Sequence, residues 1–583
     1  MFKVFKYLTS KEWILSCIAL SLILLQVVLD LTMPDYMSTI TRLVQTSGSQ
    51  MSDILFNGGM MLLCALGSLS ASFLTSVCAA RIGSNFSANL RERIFRKVQS
   101  FSMEEIGHFS TASLITRSTN DISHVQMFII MGLQMMIKAP LTAVYAIYKI
   151  MGKSWQWTMA TAVAVFVLLI VEAIVLLVAM PKFKMMQVLT DNLNRVTREN
   201  LNGLRVVRAY NAEDYQEDKF EDASTELMNT QLFAQHTMAI MMPSISIIMN
   251  GLSLSIYWVG AILISGASIA AKINLFSDMV VFTSYAMQVV SSFMMLVMIF
   301  MILPRASVAA QRINEVLDTE TTIIDGKGSQ GIEGCTGEIE FKDVCFKYPN
   351  AQDDVLSHIS FKVNKGETVA FIGSTGCGKS TLINMVPRFY DATSGEVLVN
   401  GVNVKEYTQE ELRNKIGYIS QKALLFNGTV RSNVAFGDNG KDLDNYVSEA
   451  IEIAQASEFV MNLEDTYDGK VAPNGSNLSG GQKQRLSIAR AICRQPEILI
   501  FDDSFSALDY KTDKTLRKTL DEKCKGVTRL IVAQRIGTIK DADKIVVLED
   551  GLIAGIGTHQ DLMKNCEVYR QIAYSQLSEE ELA

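Results

Sequence analysis

Six apolar runs, each long enough to cross a bilayer, lie in the first 303 residues of this chain. A spanning helix needs about 20 mostly apolar residues. The runs at 13–34, 54–80, 125–148, 155–180, 237–266 and 276–303 meet that length. The whole chain has 583 residues, too many for one domain. From about residue 335 onward it reads as a charged globular domain. The first run follows Lys3, Lys6 and Lys11 and resembles a signal peptide at first sight. It is too long for one and no small-x-small cleavage site follows, so it is expected to stay as the first membrane helix, with residues 1–10 along the inner surface.

Charge sets the orientation. The long connections 81–121 and 181–236 carry six and seven Lys/Arg, whereas 43–53 carries none, 149–154 carries Lys149 and Lys153, and 267–275 only Lys272. The positive-inside rule puts the long connections, both termini and the second half of the chain in the cytoplasm. Apolar residues recur at helical spacing through Asn89–Gln99, so the membrane helices are expected to continue well into the cytosol. The turns of these excursions are expected near 109–121 and 202–215. The net charge of −7 argues against a nucleic-acid partner. Nine scattered cysteines without a CxxC or Cys/His cluster fit reduced thiols and give no zinc motif.

Polar residues within or near the spans are Asp30, Asp35, Lys138, Glu172 and Asp278. Glu172 lies near the middle of the fourth span, where a carboxylate is costly. It reads either as a cation-recognising group in a transport cavity or as a neutral or hydrogen-bonded carboxyl between helices. Met131, Met135 and Met136, and Met294, Met295, Met298 and Met301, fall in spans three and six. Flexible thioethers adapt to varied ligands, but they also fill gaps and face lipid.

In the second half, the stretch Glu367–Thr381 carries an apolar strand, then Gly373-Ser374-Thr375-Gly376-Cys377-Gly378-Lys379-Ser380, then a helix. This is GxxxxGK[ST] in its strand–loop–helix setting. The glycines let backbone N–H groups close on phosphate, and the helix N-terminus favours negative charge. Lys379 reaches the outer phosphates and Ser380 can ligate Mg²⁺; Thr381 follows them into the helix. A second apolar strand, Ile498–Asp502, ends in a carboxylate. Between the two lies Leu478-Ser479-Gly480-Gly481-Gln482.

P-loop, LSGGQ and an Asp-ended strand, in that order behind six spans, resemble the ABC exporters of type IV architecture. The resemblance implies an all-α six-helix transmembrane domain with long cytoplasmic extensions over 1–318. Residues 319–335 contain Thr, Gly and Ser without strong periodicity and read as a linker, and the resemblance implies an α/β P-loop NTPase domain with a helical subdomain over 336–583. It further implies ATP and Mg²⁺ as cofactors, with Tyr348 stacking on adenine, Asp502 and Gln421 beside the metal, and Asp509 in the D-loop. The two turns near 109–121 and 202–215 take the place of coupling helices. Ser479, Gly480, Gly481 and Gln482 would bind a γ-phosphate held by another chain.

The chain departs from that family at three places. Asp503 stands where a Glu normally acts as general base. Its carboxylate is pulled back by about 1.5 Å, and misplacement on that scale costs ~10²-fold. Gln534 stands where a His is usual, and an amide does not titrate. Pro473 replaces an acidic contact in Val471-Ala-Pro-Asn-Gly475. Intact binding residues with altered hydrolysis residues resemble the degenerate-site subunit of bacterial heterodimeric multidrug exporters. The partner would then be a non-identical half-transporter carrying the Glu and the His, in the cell membrane among lipids, moving a small amphipathic substrate. Export of a lipid or peptide by the same engine, or an ATP-gated channel or regulatory subunit, are the other readings.

Overall fold

The computed structural model describes residues 2–577 except Ser47, Gly152, Asn350 and 438–441. The chain divides into two units, one of residues 1–99 and 111–319, the other of 100–110 and 320–583.

In the first unit the apolar runs become helices because lipid offers the backbone no hydrogen-bond partner. They are α1 (Ser10–Gln45), α2 (Met51–Gln99), α5 (Ile122–Met151), α6 (Trp155–Asn202), α9 (Met241–Ser265) and α10 (Ile269–Asp318). Between them lie α3 (Met103–His108), α4 (Thr111–Thr116), α7 (Leu204–Ala209) and α8 (Glu213–Ala239). Six helices are long and apolar enough to cross a membrane. At 1.5 Å per residue the 49 residues of α2 reach about 73 Å, far beyond a hydrocarbon core of about 30 Å. The expected cytosolic extensions are therefore continuous with the spans. The fifth span, expected at 237–266, falls within Glu213–Ser265, where the helix has a one-residue break at Ile240. Pro243 has no N–H to donate to Ala239, which frees a carbonyl at that turn.

The N-terminal turn Phe2–Tyr7 is fastened within this unit: Asn89 donates to the Tyr7 carbonyl and Arg93 lies over the Tyr7 ring. Two lysines on α5 and one just past its end pair with aspartates of other helices. Lys138 meets Asp30 of α1 at 3.3 Å and Lys149 meets Asp35 of α1 at 2.6 Å, while Lys153 meets Asp278 of α10. The Tyr285 hydroxyl on α10 also donates to Asp35 at 2.6 Å.

The stretch expected to turn near 109–121 is split. A π-type turn, Arg117–Asp121, carries α4 into α5, and Arg117 is tied to Glu315 and the Arg312 carbonyl of α10. Of the helices named so far, α3 belongs to the second unit, and it lies just before the expected range. Its N-cap Ser102 and Glu105 bond reciprocally, which starts the helix there. Both Glu105 oxygens are used: one accepts from the Ser102 N–H at 2.6 Å, the other from the Thr322 N–H at 2.9 Å.

The stretch expected as a linker, 319–335, is bound rather than free. Gly326 and Gly328 donate to the carbonyls of Tyr407 and Glu406, and Ile332 to that of Asn400.

The rest of the second unit has a four-stranded antiparallel sheet and a six-stranded, mainly parallel one. In chain order the strands are β1 (Ile339–Phe346), β2 (Leu356–Val363), β3 (Thr368–Gly373), β4 (Ser394–Val399), β5 (Val402–Asn403), β6 (Ile416–Ile419), β7 (Gly428–Thr429), β8 (Lys470–Val471), β9 (Ile498–Asp502), β10 (Thr528–Val532), β11 (Lys544–Glu549) and β12 (Leu552–Gly557). The larger sheet runs β12-β11-β3-β10-β9-β6. Alternate residues feed two cores. Ala370, Ile372, Leu499 and Phe501 pack on one face, and Val369, Phe371, Ile498 and Ile500 on the other. Burial on both faces explains why these strands read as unbroken apolar runs.

The Glu105 contacts predict how the segment 100–110 is held. Burial opposes ionisation of Glu105, but the Ser102 and Thr322 hydrogen bonds outweigh it and hold the carboxyl below its ordinary value. A depressed folded value means that the stabilisation is complete above the unfolded value near about 4.3 and is lost as pH falls through the folded one. Glu105→Ala should raise hydrogen exchange at the Ser102 and Thr322 amides about tenfold at neutral pH, the scale of one buried acceptor lost. Unchanged exchange would refute the assignment.

Candidate functional site

Four adjacent parallel strands, β3, β10, β9 and β6, end at one edge of the larger sheet. Val532 of β10 is in register with Phe371 of β3 and Asp502 of β9, and Ile419 of β6 with Phe501. Gly373 closes β3, Asp502 closes β9 with Asp503 next to it, and Gln534 and Gln421 stand two residues past β10 and β6. Ligands of open α/β sheets bind at the carboxyl ends of such strands.

The loop after β3 demands its glycines. A Cβ on Gly373 would meet the Leu548 carbonyl oxygen at 2.1 Å. Gly378 has φ +98, and its Cβ would meet Leu356 Cδ2 at 2.7 Å. Gly378 caps the helix Lys379–Asn384, so the loop Ser374–Cys377 brings backbone N–H groups to that helix start. The Lys379 ammonium donates to the carbonyls of Gly373 at 2.9 Å and Ser374 at 2.7 Å. The Ser380 hydroxyl donates to Asp502 at 2.7 Å. Thr381 lies one residue on, its hydroxyl 2.9 Å from that of Tyr348. Tyr348 stands edge-on to Phe346 and Tyr390.

Asp502 and Asp503 are both buried. Burial pushes the Asp502 carboxyl upward, against hydrogen bonds from Ser380 and Tyr418 and the charge of Lys379. Burial also raises Asp503, opposed by the Gln421 hydrogen bond and assisted by the charge of Asp502. One oxygen of Asp503, Oδ2, receives two amides: Gln534 Nε2 at 2.7 Å and Gln421 Nε2 at 3.3 Å. Asp503 also has φ +46, which an L residue adopts at a cost.

Other expected residues lie elsewhere in the unit. Ser479 caps the helix Gly480–Cys493, with Ser479 and Gln482 bonded reciprocally. A Cβ on Gly480 would meet nothing within 4 Å, and on Gly481 only the Ala507 carbonyl at 3.4 Å. No contact among the described residues requires glycine at 480. Asp509 caps the helix Tyr510–Lys523, and hydrogen bonds from Thr512 hold its carboxyl below the usual range. Pro473 opens a tight turn, Pro473–Gly475. In the first unit, Met131 and Met135 lie on α5 and Met295 and Met298 on α10, partly exposed. Glu172 on α6 is buried at 3% exposure, and its Oε2 has no hydrogen-bond partner among the described residues.

Tyr418 and Asn384 were missed in the sequence. The Tyr418 hydroxyl reaches Asn384 at 3.0 Å and Asp502 at 3.4 Å. The available signal was Tyr418's place in the strand leading to Gln421.

The comparisons agree with this geometry. The ABC transporter transmembrane region family covers residues 16–293, and the ABC transporter family covers 356–506. An uncharacterized ABC transporter ATP-binding protein of Mycobacterium tuberculosis is 37% identical over 89% of this chain and 87% of its own length. The chain belongs to the ABC transporter family. It is a half-transporter with its membrane domain fused ahead of the ATP-binding domain, the exporter arrangement. It is a multi-pass membrane protein with that ATPase domain in the cytoplasm, where ATP hydrolysis is coupled to transport. An ATP-dependent lipid A-core flippase of Pseudomonas aeruginosa is 31% identical over 89% of this chain and 85% of that protein. A solved structure of a bacterial Atm1-family ABC exporter with ATP bound has the same fold, with a TM-score of 0.80 over 96% of this chain and 98% of the other, at 23% identity.

Two substitutions probe the site. Gly373→Ala should abolish binding of a fluorescent ATP analogue, because the new methyl overlaps a strand carbonyl. Tyr418→Phe should leave binding without Mg²⁺ unchanged and weaken Mg²⁺-dependent binding about tenfold, one charge-assisted hydrogen bond. Equal losses with and without Mg²⁺ would place Tyr418 outside the metal's surroundings.

Proposed function

We propose that the chain is one subunit of a heterodimeric exporter of amphipathic small molecules, with a degenerate ATP site of its own. The observation that carries this reading is the pair of amides on Asp503 Oδ2. A general base needs a free oxygen within hydrogen-bond reach of the attacking water. Here Gln534 and Gln421 both hold one of the two carboxylate oxygens, Oδ2, which ties the side chain down and leaves only Oδ1 for a water. The side chain is also one methylene short of the usual Glu, and Gln534 neither titrates nor relays a proton. The higher proton affinity that burial gives Asp503 does not restore the reach.

Nucleotide binding is supported by the intact loop. Its backbone N–H groups and Lys379 would hold the phosphates, and Tyr348 would stack on adenine. A magnesium ion fits the hard oxygens present, since Ser380 and Asp502 already face each other. Ser380, Asp502 and Gln421 would hold it, and it would neutralise charge between the outer phosphates. Ser479, Gly480, Gly481 and Gln482 would meet the γ-phosphate bound by the partner. The open space at Gly480 supports a close approach from outside the chain. The segments near 109–121 and 202–215, the latter with the exposed Val206 on α7 and Tyr210 just after it, would serve as the coupling segments. A second reading, movement of a lipid, is supported by the flippase relative of P. aeruginosa.

In proteoliposomes, the chain alone should hydrolyse ATP slowly and the heterodimer quickly. The partner's Glu→Gln should silence the heterodimer. Asp503→Glu with Gln534→His should raise hydrolysis by the chain alone about 10²-fold. Equal rates for chain and pair, or no gain from the double variant, would overturn the degenerate-site reading.

A further inference from the structure

The Asp30–Lys138 pair lies deep in the membrane unit. Lys138 is 13 residues before the end of α5 at Met151, about 20 Å along the helix axis. The pair is not sealed: the Lys138 and Asp30 side chains are 26% and 23% exposed. Charge at that depth is costly against lipid tails, so the exposed side of the pair faces water or protein.

The surroundings are built for a polar ligand beside an apolar one. Ser68 of α2 donates to Asp30, and Gln288 of α10 donates to the Asp30 carbonyl at 3.4 Å. The Gln288 Oε1 and Thr142 hydroxyl have no hydrogen-bond partner among the described residues. Thr142 stands four residues after Lys138, while Met135 and Met131 stand three and seven before it. All four share one face of α5. On α10, Met295 is seven residues after Gln288 and shares its face. Lys138, Thr142 and two thioethers thus share one face of α5, Gln288 and Met295 share one face of α10, and Asp30 of α1 meets both Lys138 and Gln288.

We infer that Asp30 and Lys138 form a binding site for the headgroup of an amphipathic zwitterion, with Thr142 and Gln288 completing it and the methionines taking the apolar tail. The inference rests on the reading of the chain as an exporter of amphipathic molecules, and names their charge class. A cation would lose the complement of Lys138 and an anion that of Asp30. A zwitterion exchanges with both partners of the pair and leaves neither charge uncompensated.

The test uses the assembled transporter in nanodiscs and three probes with the same acyl chain: a lysophosphatidylethanolamine, a lysophosphatidylglycerol and an alkyltrimethylammonium. The readout is the half-maximal concentration for ATPase stimulation, with transport into inside-out vesicles as the second measurement. The zwitterion should act at about tenfold lower concentration than either other probe. Asp30→Asn leaves the ammonium unmatched and should shift preference to the anion. Lys138→Gln should shift it to the cation. A pair that only joins α1 to α5 would lose thermal stability in both variants without opposite shifts in preference, and that result overturns the inference. The near-isosteric Asp30→Asn keeps the test open if Lys138→Gln does not fold. A preference for cation or anion in the unaltered protein overturns this site alone. Failure of every probe in both measurements overturns the amphipath reading with it.

Discussion

Parallel pairing of β3, β10, β9 and β6 aligns four strand ends at one edge of a sheet. The phosphate loop, the carboxylates and the two glutamines come from sites far apart in the chain, yet each lies at a strand end or within two residues of one. The register of that sheet does the gathering. Both faces of the sheet are buried under apolar side chains, so a strand cannot slip without moving an entire core face into the wrong layer. Positions of atoms at the site are therefore inherited from packing on either side of it.

Some of this was legible in the sequence because the chemistry restricts the residues. A phosphate-binding loop needs glycines where a Cβ would strike the backbone, and Gly373 is such a position. An apolar strand ending in Asp needs no further context once that loop is present. The Asp503 and Gln534 departures could be seen by comparison with the family pattern. Their mutual hydrogen bond could not, because 31 residues separate them and only the β9–β10 register brings them together.

Other features had no local signal. Lys149 read as a loop charge, and only the continuation of α5 to Met151 puts it in a helix against Asp35. Asp30 and Lys138 stood out as polar residues near spans, but nothing at their spacing announces a pair. The segment 319–335 lacks periodicity and so read as a linker, although its amides are spoken for by carbonyls at 400–407. The interruption at Ile240 was readable from Pro243, whose missing donor acts on the residue four positions back.

A Cβ on Gly480 would meet no atom of the described residues within 4 Å. Intramolecular packing therefore gives no reason for its identity, and a selection based on solubility or melting temperature would accept a larger residue there. If its constraint comes from a nucleotide on another chain, damage at this position is recessive to folding and visible only in trans. A genetic lesion in one subunit would then appear biochemically as a defect of the other.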